Sequence, residues 1–181
     1  MVRKRRLRGT WYLACLLALS TASAQEAGPI ILEYGKVYRI SNPDIPTGTE
    51  QYFKAVFDVY DSPGPGNEPN AQLETAARFL NMHAQYGIPA ENLHLALVVH
   101  GKATEDLLNS KAYTLKFKNK NPNAGLIEAL LRAGVEIAVC SQSATARHIS
   151  REETLPGVQW SLSAMTALIH YQNLGYRLIK F

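Results

Sequence analysis

Val135-Glu136-Ile137-Ala138-Val139-Cys140-Ser141-Gln142-Ser143-Ala144 decides the fold of this chain. Residues 135–139 are strand formers, and small polar residues of the kind that open helices follow at once. The spacing places Cys140 at the C-terminal end of a strand, just ahead of a helix N-terminus. In an open α/β sheet, ligands gather at that end of the strands. A helix N-terminus also favours an anion, and so a thiolate over a thiol.

Working outward, strand-like and helix-like segments alternate. Residues 52–60 read as a first strand, with Phe53, Ala55, Phe57 and Val59 on one face. Residues 61–67 form a turn rich in Pro and Gly. Asn70 is a helix cap, and Leu73, Ala76, Ala77, Leu80 and Ala84 follow at helical spacing until Gly87 and Pro89. Residues 93–99 read as a second strand, ended by His100-Gly101, with a short helix over 103–110. Residues 111–120 carry four lysines and no acid, which reads as a solvated loop or, alternatively, an anion-facing one. A helix over 124–133 leads into the strand ending at Cys140, and a short helix over 144–149 follows it. Ser150 to Glu153 has capping-box spacing. A short strand over 158–160, a helix over 163–173 and a last strand over 176–181 complete the chain. This alternation predicts an α/β fold of three layers, α/β/α, with a mostly parallel five-stranded sheet.

The N-terminus carries a different signal. Arg3, Lys4, Arg5, Arg6 and Arg8 precede a short apolar run over 11–19, and Ala22-Ser23-Ala24 has the A-x-A form of a cleavage site. The run is too short to span a bilayer. The expected organisation is a signal peptide over 1–24, an N-terminal arm over 25–51 and an α/β domain over 52–181, with the protein exported to the periplasm and no stable membrane insertion. The competing reading is an uncleaved N-terminal anchor. The whole chain has 19 Lys+Arg against 15 Asp+Glu; without the leader, 14 basic residues face 15 acidic ones. The basic balance therefore belongs to the leader and gives no reason to expect nucleic acid as a partner. Cys15 leaves with the leader, so Cys140 is the one remaining cysteine. Such a thiol is buried and inert, paired between chains, or reactive.

Asp61, His100 and Cys140 fall at or just beyond the ends of three successive strands. If those strands are neighbours, all three face one crevice. Asp61 also reads as a plain turn residue, and His100 as a structural hydrogen-bonding group. The amides of Ser141, Gln142, Ser143 and Ala144 are candidates to cradle an anionic sulfur, with His100 and Gly101 beside them. His94 and His100 share a strand face but stand six residues apart, roughly 20 Å at strand rise, too far to hold one metal. Zinc spacing, phosphate-binding glycine loops and a serine nucleophile elbow are all missing. No metal and no cofactor is expected. Without a C-x-x-C partner, what remains is a one-cysteine role: carrying a persulfide, forming a mixed disulfide, or binding a small thiol or anion.

Several stretches, taken together, resemble the DsrE/DsrF-like (YchN-like) family in its exported form. They are Phe53-Lys54-Ala55-Val56-Phe57-Asp58, Leu97-Val98-Val99-His100-Gly101, Asn121-Pro122-Asn123, the run from Leu130 through Cys140 to Ala144, and the ending with Gly175-Tyr176. The resemblance implies a small α/β domain that assembles with itself as a homotrimer or homohexamer. It also implies a sulfur carrier or sulfurtransferase-like role, because some members carry sulfur on a cysteine. Cys140 matches a cysteine of exported members. A sulfur-relay protein or a small sulfur species is then the implied partner. The alternative is a non-catalytic oligomeric module that binds a small anion, a thiol or a protein.

Overall fold

The computed structural model describes residues 24–180. Of the leader expected over 1–24, all but Ala24 lies outside the described residues. Five strands, β1 (Phe53–Val59), β2 (Leu93–Val99), β3 (Glu136–Cys140), β4 (Gln159–Ser161) and β5 (Arg177–Lys180), form one sheet in the order β4-β3-β2-β1-β5. Every pairing in it is parallel. Among the described residues, five α-helices connect or cover the strands: α1 (Ala71–Gln85), α2 (Ser110–Phe117), α3 (Ala124–Arg132), α4 (Ser141–Ala146) and α5 (Ala164–Asn173).

The two-residue alternation of the strands divides the core in two. Ala55, Phe57, Val59, Leu95, Leu97, Val99, Ile137 and Val139 pack against α1 and α3 through Leu73, Leu80, Leu126 and Leu130. Val56, Ala96, Val98, Ala138 and Cys140 face the other way, onto Ala164, Ala167 and Tyr171 of α5. Leu130 is fully buried, so Leu130→Ala would cost about 2–5 kcal/mol through the cavity it leaves. The layering follows from the chain path. From β1 to β4 the sheet grows in one direction. The chain then returns to place β5 outside β1, and a right-handed crossover running the opposite way puts α5 on the second face.

Several boundaries differ from the sequence expectation. The lysine run over 111–120 is mostly helix α2, not a loop. Asn109 caps it by accepting the Ala112 N–H at 3.0 Å, and Ala112 and Tyr113 turn into the core while the lysines stay outside. The short helix expected over 103–110 is a 3-10 segment, Gly101–Leu107. The helix expected over 144–149 begins earlier, at Ser141, with Cys140 itself as the N-cap residue. The Ser150–Glu153 capping box is present as expected.

The arm forms no strands; a single bridge joins Glu26 to Val37. Its first part is tied to α1 through Asn81, which is fully buried. Asn81 Oδ1 accepts the N–H groups of Ile30 and Ile31, and its Nδ2 donates to the carbonyls of Ile31, Tyr34 and Gly35. Gly35 has φ +69°, and a Cβ there would stand 2.5 Å from the Ala77 carbonyl carbon. The close approach requires glycine. This part of the arm therefore packs on its own chain and needs no second one.

Candidate functional site

The strand order places the ends of β1, β2 and β3 side by side. The pairings Val59↔Val99 and Val99↔Val139 extend by one residue to set Tyr60, His100 and Cys140 in one row. Ser161 pairs with Cys140 on the far side. Strands in a sheet lie about 4.8 Å apart, so His100 and Cys140 are one strand spacing from each other on the α5 face. The loop leaving β3 enters α4 on one side of the sheet, and the loop leaving β4 enters α5 on the other. This reversal makes a topological switch point between β3 and β4, the usual ligand position in open α/β sheets. Cys140 stands at it.

Burial is the strongest single influence on the Cys140 thiol and pushes its pKa up. Four donors together outweigh it and leave the pKa lowered: the Ser143 hydroxyl and the N–H groups of Ser143, Ala164 and Gln142. Two of those amides belong to the start of α4, and the third is the first residue of α5. The sulfur thus receives donors from two helix N-termini, which favour negative charge. Ser143 Oγ in turn accepts the Gly101 N–H at 3.1 Å. Cys140 is only 4% exposed in the single chain.

His100 has a partner that the sequence reading did not include. Its Nε2 donates to Asp58 Oδ1 at 2.7 Å, and Lys180 Nζ lies 3.2 Å from Asp58 Oδ2. An acceptor at Nε2 places the hydrogen there and leaves Nδ1 as the basic nitrogen of the neutral ring. Asp58 is 6% exposed inside a core strand. A carboxylate so buried needs partners, and that was the signal available in the sequence. Ala164 had no such signal: its role depends on β4 lying beside β3.

The remaining candidates divide. His100, Gly101, Ser143 and Gln142 gather around Cys140 or its immediate neighbours. Ala144 is fully buried in the α1/α3 core, behind the cradle. Ser141, half-buried, opens α4 as its first residue. Asp61 lies on the α1 side of the sheet: its carboxylate accepts the Ser62 N–H at 2.9 Å, and its carbonyl accepts from Asn70 Nδ2 at 2.7 Å. Beside it, Ser62 Oγ and Asn70 Nδ2 donate to the two oxygens of Asp106, at 2.8 and 2.7 Å. Asp106 is 2% exposed, and burial, only partly offset by these donors, pushes its carboxyl up to about 6. No group of three or more His, Cys, Asp or Glu able to hold a metal occurs among the described residues, and none of their helices is long and apolar enough to cross a membrane.

A small parallel α/β domain with a cysteine at the switch point defines the class. The chain belongs to the DsrE/DsrF-like family, which it matches over residues 54–181. Among the solved structures that share its fold are two from different organisms. One is the YchN protein from E. coli, with 19% identity and a TM-score of 0.52. The other is MTH1491 from Methanobacterium thermoautotrophicum, described as a protein of unknown function, with 17% identity and a TM-score of 0.52. In both cases the likeness covers 71% of this chain and 99% of the other. No curated protein matches the chain.

Proposed function

We propose that this protein handles sulfur as a persulfide on Cys140, as an exported carrier or transferase. The carrying observation is the convergence of the Ser143 hydroxyl and three backbone N–H groups on one sulfur, which lowers its pKa in spite of burial. The DsrE-like family is linked to sulfur relay in general, which fits a thiolate at this place. In the transfer, the Cys140 thiolate attacks the outer sulfur of a donor persulfide. A new S–S bond forms on Cys140, the donor S–S bond breaks, and the donor leaves as a thiolate that takes up a proton. Passing sulfur to an acceptor thiol is the reverse, so no external oxidant is needed. The donor groups around Cys140 stabilise the anion, and His100, held by Asp58, exchanges a proton with the departing thiolate.

Export is supported by the basic start, the short apolar run and the A-x-A site. Self-association is supported by α5. Among the described residues it is the one helix on its face of the sheet, and it leaves Met165 and Ile169 73% and 59% exposed beside Leu162, which is 70% exposed.

The test is the intact mass of protein purified without reductant, then treated with a low-molecular-weight persulfide. One added sulfur per chain, removed by dithiothreitol and absent in Cys140→Ser, is the expected result. A chain that never gains sulfur rejects the carrier reading. The 4% exposure of Cys140 favours the second reading, a non-catalytic oligomeric binding module, and that reading then leads.

A further inference from the structure

We propose that the cleft between the arm and the C-terminal end of α1 is a binding site for a small monocyclic phenol. The cleft holds about 200 Å³ and lies away from Cys140, walled by Tyr38, Ile40, Met82 and Tyr86 and bordered by Arg39 and His83. Tyr38, Ile40 and Met82 leave 54%, 58% and 45% of their surface exposed, so the walls are apolar surface left open among the described residues. An enclosed apolar cavity of about 150 Å³ takes benzene, so this volume suits one ring with a short substituent.

The polar groups select the substituent. His83 Nδ1 faces the Phe79 carbonyl at 2.8 Å. A carbonyl only accepts, so the hydrogen is on Nδ1, and Nε2 is the acceptor of the neutral ring. The imidazole is held between Phe79 and Phe53, with ring centroids 4.0 and 4.6 Å away, and the desolvation this brings lowers its pKa and keeps it neutral. Nε2 has no hydrogen-bond partner, and Arg39 no ion pair, among the described residues. A phenolic hydroxyl suits both: it donates to Nε2 and accepts from the guanidinium. Its ring lies against the Met82 thioether and the tyrosines, contacts that sulfur and aromatic groups favour. A carboxylate brings no proton for Nε2, and a plain hydrocarbon leaves both polar groups unpaired.

The experiment titrates the ¹⁵N-labelled full-length protein with p-cresol, toluene and benzoate, followed by amide NMR. Saturable p-cresol shifts confined to residues 38–47 and 82–86 are expected, with toluene and benzoate about tenfold weaker, the worth of one good hydrogen bond. Met82→Trp fills the cleft from an exposed helix position and should abolish the shifts without changing the alkylation rate of Cys140. His83→Phe keeps the ring stack and should bring p-cresol down to the toluene affinity. The absence of saturable p-cresol shifts, or toluene binding as tightly as p-cresol, overturns the proposal. So does undiminished p-cresol binding in His83→Phe. Each readout is independent of sulfur on Cys140, so failure here leaves the carrier reading untouched.

Discussion

The Gly101 amide donates to Ser143 Oγ at 3.1 Å, and the Ser143 hydroxyl is thereby free to spend its own hydrogen on the Cys140 sulfur. One serine thus links the turn after β2 to the thiol at the end of β3. Ser143→Ala removes a hydrogen bond to a charged group, worth about 1.5 kcal/mol, so the thiolate-to-thiol ratio at a given pH should fall about tenfold. Alkylation rates of native protein from pH 5 to 9, with Cys140→Ser as the blank, check this. An unchanged pH profile would show that Ser143 does not support the anion.

Gly101 should not accept a side chain. Its φ is +55°, and a Cβ would stand 2.5 Å from the Tyr60 carbonyl oxygen. That oxygen is backbone and cannot move aside cheaply. Gly101→Ala should cost about 2–3 kcal/mol through the strained backbone and the clash. It should also slow Cys140 alkylation, because the displaced turn carries the donor to Ser143. Urea unfolding followed by far-UV circular dichroism gives the first number, and the alkylation assay the second.

Much of this arrangement was legible in the sequence, and the part that was not has a physical cause. Strand alternation gives the faces of β1 and β2 residue by residue, and Asn70, Gly87 and Pro89 bound α1. The lysine run hides α2 because only Ala112 and Tyr113 of that helix are buried, with Phe117 partly buried at its end, too few for a clear apolar stripe. Asp61 looks like a site residue because it follows a strand, yet side-chain direction alternates, and residue 58 shares the face of Cys140. Ala164 is 24 positions from Cys140, and only the β3–β4 pairing brings its amide to the sulfur.

Asp106 should make the protein less stable as pH rises. Its carboxyl is raised from 3.8 to about 6 in the folded state. Between those values the folded chain holds a proton that the unfolded chain has lost. Stability therefore falls with rising pH across that window and levels off above it. The shift corresponds to a penalty on the order of 3 kcal/mol when the carboxylate is charged. Asp106→Asn stays neutral, can still accept from Asn70, and can donate to Ser62. Urea midpoints at pH 4.5 and 7.5 should differ less in the variant than in the parent. Equal differences in the two proteins would mean that another group carries the pH dependence.

The outer surface of α5 should be the contact between copies of this chain. Leu162, Met165 and Ile169 follow at helical spacing, and Leu174 and Leu178 are 52% and 43% exposed nearby. The other side of the helix is already occupied: Ala164, Ala167 and Tyr171 are buried on the sheet. Among the described residues, the stripe therefore belongs to neither core cluster. Apolar groups at that density usually mark an interface, with about 25 cal/mol gained per Å² removed from water. The arm adds no comparable reason, since Asn81 fastens its first part to α1 of its own chain. Ile169→Glu puts a charge in the middle of the stripe and leaves the core alone. Light scattering at micromolar concentration should show a trimer or hexamer for the parent and a lighter species for the variant, with unchanged far-UV circular dichroism. A parent that runs at the mass of one chain would remove the interface, and α5 would then be an exposed helix in a monomer.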